Sequence, residues 1–373
     1  MKIAIDLTSL ADNFSGIERM TLNITMNLLE INSENKFQLY FKEEIHPEFL
    51  YCKEKDWIEC IVLPRKNKLW FNQVTLLRRL LKSDADLFLF MAFPAPFFFR
   101  SRGKIINTIH DMGCFDCPET MPRKMAAYFR IMNRNSVRRS WRILTISEFS
   151  KKQIRKHLKV PSEKIKVLYL GVSSNIYEYN ISKWEAIKTG YQLPDRYIMC
   201  LSTLEPKKNM KLLVEAYREL PEMYQDRVAL VLAGRKGWKL EKLLETVEEN
   251  KKGKICITGY IDEEDLPYIY HHAELFVFPS FYEGFGIPPL EAMATGRPVL
   301  ASDIDVLKEV LQDRAVYFQN NDKESLKSTL IACLNGKAGQ YSAEELIEYS
   351  RRFNYQKTAQ RLQQIMEETD VKA

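Results

Sequence analysis

The chain has 373 residues, enough for two domains that each bury their own core. Hydrophobic residues at 46% and charged residues at 28% fit a globular protein, and the absence of any apolar run of about eighteen residues argues against a membrane span. The net charge of +6 is uneven: residues 1–175 hold 29 basic and 18 acidic residues, and the remainder hold 26 and 31.

The chain opens as a strand, Lys2-Ile-Ala-Ile-Asp6, so no signal peptide is expected. The seven cysteines have no regular spacing, which points to reduced thiols and a cytoplasmic location. Cys114 and Cys117 form a C-x-x-C without a second pair to complete a zinc site.

Short apolar runs alternate with helical patterns from the start. Strands are expected at Ile3–Ile5, Phe37–Phe41, Leu87–Phe90, Ile105–Ile109, Ile143–Ile146 and Ile165–Leu168, with a helix near Gly16–Leu29. The polar stretch 176–192 reads as a linker between a first domain, 1–175, and a second, 193–352. The alternation then restarts, with strands at Tyr197–Leu201, Val228–Ala233, Ile255–Thr258, Leu275–Phe278 and Val299–Ala301. Helices are expected over Met210–Leu220, from about Glu263, and near Val306–Leu311. This rhythm predicts an α/β protein of two doubly wound, Rossmann-like domains with ligands in a central cleft. The last segment, 353–373, carries Leu, Ile and Met at helical spacing.

Pro279-Ser-Phe-Tyr-Glu283-Gly-Phe-Gly-Ile-Pro-Pro-Leu-Glu291-Ala-Met-Ala-Thr-Gly296 is the most informative stretch. A strand, a glycine turn and a helix start follow one another, so unpaired N–H groups and the helix dipole can face an anion. Gly284 and Gly286 permit a tight turn, Pro288 and Pro289 suit a first helical turn, and Gly296 is placed to end the helix. A glycine turn between strand and helix is also ordinary α/β punctuation. The carboxylates Glu283 and Glu291, with seven residues between them, are far more specific. Together they describe a site for a sugar nucleotide, charged in the middle and hydroxylated at both ends.

This pair resembles the E-x7-E element of retaining GT-B glycosyltransferases of family four, and further motifs match the same family. Gly16, in Asn13-Phe-Ser-Gly-Ile-Glu-Arg19, stands where that family has a glycine-rich loop beside the donor phosphates. His110, in Thr108-Ile-His-Asp111, matches a strand-end histidine that contacts the donor sugar, while Asp111 is expected to orient the backbone. Leu144-Thr-Ile-Ser147-Glu148-Phe-Ser150 resembles an S-E-x-S stretch in which Ser147 is expected to cap a helix. In Ser202-Thr203-Leu-Glu205-Pro-Lys207-Lys208-Asn209, Lys208 matches a diphosphate-gripping lysine, but Thr203 stands where many members have arginine. Lys207, or Arg235 in Ala233-Gly-Arg-Lys-Gly237, is the candidate replacement. Tyr260 and Ile261, after Thr258-Gly259, resemble a turn that reads the base. Phe285, Gly286 and Ile287 are expected to offer N–H groups to the leaving diphosphate.

The resemblance implies a retaining enzyme that moves a mannose- or rhamnose-type hexose from a nucleoside diphosphate sugar. The acceptor would be a glycan or a lipid-linked glycan in cell-surface polysaccharide synthesis. His110, Glu283 and Lys208 are the expected catalytic residues, and Glu291 is expected to bind the ribose. Removing the Glu283 carboxylate is expected to abolish transfer with the fold intact. The sugar nucleotide is a co-substrate, and no cofactor or metal is expected. The D-x-D triplets Asp84-Ala-Asp86 and Asp303-Ile-Asp305 read instead as a strand edge and a helix cap. The family also implies a terminal helix returning to the first domain. The alternatives are a GT-B phosphorylase and a non-catalytic protein that binds sugar nucleotide or nucleic acid.

From Arg123 to Lys159 there are twelve basic residues and one acid, Glu148, interleaved with apolar side chains. No nucleic-acid motif accompanies them, so an anionic membrane surface is the expected partner and the inner face of the cell membrane the expected location. Asn67–Phe71 and Phe93–Phe99 are candidate apolar contacts or acceptor-groove walls.

Overall fold

Every strand pairing runs parallel in the computed structural model, which describes residues 1–11, 16–32, 34–64, 71–238, 245, 247, 254–339 and 341–368. The first unit holds β1 (Lys2–Asp6), β2 (Lys36–Lys42), β3 (Ile58–Leu63), β4 (Leu87–Phe90), β5 (Lys104–Thr108), β6 (Arg142–Thr145) and β7 (Ile165–Val167). Their order is β3-β2-β1-β4-β5-β6-β7. The second unit holds β8 (Tyr197–Leu201), β9 (Ala229–Ala233), β10 (Ile255–Gly259), β11 (Leu275–Phe278), β12 (Val299–Ser302) and β13 (Val316–Phe318), in the order β10-β9-β8-β11-β12-β13.

Both sheets are doubly wound, as the strand–helix alternation predicts. Central strands such as β4, β8, β9 and β11 are buried along nearly their whole length, which is why they read as continuous apolar runs. Each sheet reverses its strand order once, between β1 and β4 in the first and between β8 and β11 in the second. A crevice opens beyond the carboxyl ends of the strands at such a switch point.

The first compact unit comprises Met1–Phe115, Lys124–Gly171 and Tyr355–Ala373; the second comprises Asp116–Arg123 and Val172–Asn354. Within the first, the helix Tyr355–Glu367 packs against the helix Gly16–Ile31. Thr358 Oγ1 donates to Tyr169 O (2.8 Å), and Glu368 pairs with Lys166 (2.7 Å) and Arg142 (3.7 Å). Within the second, residues 176–192 form the helix Trp184–Gly190 and turns before it, and the Trp184 ring stacks on His272 at 3.7 Å.

Two local expectations change. The helix expected from Glu263 begins at Leu266, after the 262–265 turn. The helix Asp305–Leu311 has Ile304 at its N-cap with no side-chain cap bond. Asp303 instead accepts from Asn320 N–H (2.9 Å) and pairs with Lys308 (3.4 Å).

Candidate active site

The loops beyond the carboxyl ends of β8 and β11 carry Lys208 and Glu283, two of the three expected catalytic residues. Beyond β8, the loop Ser202–Asn209 folds into a short 3-10 turn, Pro206–Lys208. Beyond β11, the loop Pro279–Gly286 leads into the helix Ile287–Ala294. The Lys207 carbonyl accepts from Phe281 N–H (3.1 Å), which binds the two loops together. Lys208 Nζ then sits 2.6 Å from Glu283 Oε1, with the two side chains 16% and 8% exposed. The ammonium also stands 5.7 Å from the centre of the Phe278 ring.

The loop beyond β9 closes on the same place. Gly234 has φ +125°, and a Cβ there would lie 1.9 Å from Ser202 O, so only glycine lets the two backbones approach. Leu204 N–H donates to Arg235 O (2.9 Å), which brings Arg235 beside the Thr203 backbone. The guanidinium of Arg235 is half-buried and, among the described residues, has no acidic partner. Lys207 does have one, with Glu205 Oε1 at 3.5 Å.

At the start of the helix Ile287–Ala294, Gly286 has φ +109°, and a Cβ there would lie 2.7 Å from Leu307 Cδ2. Pro288 and Pro289 bring no N–H, so the orphan donors of this terminus are Gly286 and Ile287, which find no acceptor among the described residues. The Phe285 ring is buried against Phe353. Glu291 lies within this helix, 3% exposed, and accepts from the Tyr270 hydroxyl at 2.9 Å. Tyr260 and Ile261 follow β10, the former half exposed and the latter buried.

In the first unit, His110 follows β5, next to the switch point. Its Nε2 stands 2.8 Å from Met91 O, and because a carbonyl only accepts, Nε2 carries the hydrogen. Ser147 caps the helix Glu148–Leu158 by accepting from Ser150 N–H, and Ser150 Oγ donates to His110 O at 3.0 Å. The S-E-x-S stretch is thus a brace for the His110 peptide. Asp111 Oδ1 accepts from Gly113 N–H at 2.8 Å. Gly16 opens its helix, exposed and, among the described residues, with nothing within 4 Å of a Cβ position. Asn13–Ser15 of its loop lie outside the described residues.

The structure therefore joins Lys208, Lys207, Glu283, Thr203 and Arg235 through bonded loops, while Gly16 and His110 belong to the other unit. Tyr270 was not legible in the sequence, nor was the contact of Tyr282 with Asp116 (2.9 Å), since both pair across long stretches of chain. Asp84 pairs with Lys2 at the amino end of the first sheet, and Asp86 accepts from the Lys2 N–H at 2.7 Å.

Comparison with known proteins adds an independent finding. A family model described as "Glycosyl transferases group 1" matches residues 185–353, and one described as "Glycosyltransferase Family 4" matches 44–175. The chain is 35% identical over 233 residues to O-antigen chain mannosyltransferase B of Escherichia coli, a match covering 62% of this chain and 61% of that protein. It is 31% identical over 223 residues to O-antigen chain mannosyltransferase RfbU of Salmonella typhimurium, covering 60% and 59%. The chain thus spans less than two thirds of either relative. Anabaena Alr3699/HepE, solved in complex with UDP-glucose, superposes with a TM-score of 0.77 over 99% of this chain and 100% of that one, at 16% identity. That likeness carries the fold.

Proposed function

The chain belongs to the group 1 and family 4 glycosyltransferases of GT-B fold, and we propose that it moves a mannose from a nucleoside diphosphate sugar to a hydroxyl of a glycan acceptor, with anomeric configuration retained. The observation that carries this is the buried Lys208–Glu283 pair at the switch point of the second sheet. A diphosphate leaving group gains negative charge as the glycosidic bond breaks. Lys208, the Arg235 guanidinium and the N–H groups of Phe285, Gly286 and Ile287 offer it preorganised positive charge. Glu283 accepts from donor sugar hydroxyls once Lys208 turns to phosphate, and Glu291 accepts from the ribose. The turn at Tyr260 and Ile261 takes the base, and His110 meets the donor sugar. The E. coli and Salmonella relatives support mannose and an O-antigen-type acceptor, and the Anabaena neighbour supports a nucleotide sugar.

Thermal shift against a panel of nucleoside diphosphate sugars tests this, because a ligand at a hundred times its Kd adds about 2.7 kcal/mol. Nucleoside diphosphate mannose should give the largest shift, slow hydrolysis alone, and transfer to a mannose-terminated glycan. No shift with any sugar nucleotide would overturn the reading. Binding with no turnover in any assay would leave a non-catalytic binder.

We also propose that the acceptor is lipid-linked and met at an anionic membrane surface. No helix among the described residues is long and apolar enough to cross a bilayer. On the helix Arg123–Arg139, Ile131 is 54% exposed and Arg134 and Arg138 face solvent. Phe98, 69% exposed, is held against this helix by Asn135, which donates to Phe97 O (3.0 Å), and by Arg139, which donates to Phe99 O (2.9 Å). Arg130, Arg139 and Arg142 make contacts within the protein, so the basic segment as a whole is not a lipid face. Phe71 and Phe99 are core residues, and Asn67–Trp70 lie outside the described residues. Phe98→Ser with Ile131→Ser should weaken sedimentation with anionic vesicles at low salt; unchanged sedimentation would remove this surface.

A further inference from the structure

Three loops of the second unit carry the proposed donor residues, and two of the three joints between them have been described. The loops after β8 and β9 are joined by Leu204 N–H to Arg235 O, and those after β8 and β11 by Phe281 N–H to Lys207 O. The loops after β9 and β11 flank β8 in the sheet and are joined by a different piece of chain.

That piece is Asp116–Arg123, which clusters with the second unit although its sequence neighbours on both sides belong to the first. Asp116 Oδ2 accepts from the Tyr282 hydroxyl at 2.9 Å, and Tyr282 precedes Glu283. Four positions on, Thr120 O accepts from Trp238 Nε1 at 2.5 Å, and Trp238 follows Gly237 in the Arg235 loop. Between the two anchors the segment is stiff. Pro118–Thr120 is a 3-10 turn, and Thr120 donates to Cys117 O from both its N–H (3.1 Å) and its Oγ1 (2.7 Å). Tyr282 is 9% exposed and Thr120 4% exposed, so these are withdrawn contacts rather than surface decoration.

We propose that Asp116 is a positioning residue for the donor site: through Tyr282 it sets the Glu283 carboxylate, and with Thr120 on Trp238 it completes a triangle of joints that fixes Lys208, Arg235 and Glu283 relative to one another. This rests on the donor site proposed above. The bond is charge-assisted, because a tyrosine hydroxyl donates to a carboxylate, and it joins two groups largely withdrawn from water, where such a bond is stronger than at the surface. Asp116 touches no donor atom in this scheme. Its effect falls on how well the site is preorganised for the donor.

The experiment is a double-mutant cycle on donor binding in the full chain, using nucleoside diphosphate mannose, with hydrolysis read in parallel. Asp116→Ala and Tyr282→Phe should each raise the donor KM about tenfold while kcat changes by less than about twofold. The double variant should be no worse than the weaker single, because both remove the same bond. Asp116→Asn keeps an acceptor and should recover most of the donor affinity. Should Asp116→Ala fail to fold, Tyr282→Phe removes only the hydroxyl and carries the same expectation. Additive effects, or an unchanged KM in folded variants, would overturn the positioning role while leaving the donor site standing. A wild-type protein that neither binds nor hydrolyses any sugar nucleotide would take both down.

Discussion

Lys208 and Glu283 lie 75 positions apart in the chain and meet as a 2.6 Å ion pair, almost withdrawn from water. In the proposed site each neutralises the other until a donor arrives, when the phosphates would take the ammonium and the sugar hydroxyls the carboxylate. The pairing adds a cost to the expectation that the Glu283 carboxylate could be removed with the fold intact. Glu283→Ala should lose transfer and also lower stability by about 3–5 kcal/mol, since it strands a buried ammonium. Lys208→Met combined with Glu283→Gln should regain most of that stability without regaining activity. Urea unfolding of the three variants checks this; a fully stable Glu283→Ala would mean that the pair is not buried in solution.

If Thr203 leaves the proposed diphosphate site one cation short, the two candidate replacements differ in their surroundings. Lys207 already faces Glu205, whereas the Arg235 guanidinium has no acidic partner among the described residues. Arg235→Ala should lower kcat about tenfold or more, and Lys207→Ala much less, because charge grows on the diphosphate only in the transition state. Steady-state hydrolysis of the donor decides between them. Equal effects would mean that both cations reach the phosphates.

The Tyr270–Glu291 bond at 2.9 Å aims a buried carboxylate. If Glu291 holds the ribose, Tyr270→Phe and Glu291→Gln should both raise the donor KM with kcat little changed, since the ribose lies away from the bond that breaks. An effect confined to kcat would contradict that assignment.

Acid should weaken the second unit through His272. Burial first, then the charges of His271, Arg297 and Lys188, push its pKa down to about 4, and its ring is stacked on Trp184 and bonded to Tyr179. An unfolded histidine titrates near 6.5, so below that pH the unfolded chain takes up the proton more readily than the folded one. Stability therefore falls as the pH drops from about 6.5 toward 4 and levels off below. His272→Gln should flatten this slope in thermal melts taken across that window.

Much of this molecule was legible in its sequence because a doubly wound sheet buries its central strands on both faces. Runs such as Leu275–Phe278 and Tyr197–Leu201 are continuous apolar segments and could be read directly. The two strands the sequence did not reveal, Ile58–Leu63 and Val316–Phe318, both lie at sheet edges. The first alternates buried and exposed positions, and the second is only three residues long. Site legibility followed the same logic. Glu283 and Glu291 sit in a local motif of glycines and a helix start, whereas Lys208, in a plain basic turn, is singled out only by the family resemblance. Asp116, Tyr282 and Tyr270 carry no such signal, because what defines them is a partner far along the chain.

The helix that completes the first unit, Tyr355–Glu367, is made more than 300 residues after the helix it covers. At about 5–20 residues per second, roughly 16–65 seconds separate the synthesis of Ile31 from that of Tyr355. During that interval the apolar stripe of the helix Gly16–Ile31 has no cover from Tyr355–Glu367, and the nascent N-terminal half is exposed to chaperones and to aggregation. A chain ending at Asn354 should remain in that state, bind a hydrophobic dye and precipitate, and it should be rescued in trans by a peptide spanning residues 355–368.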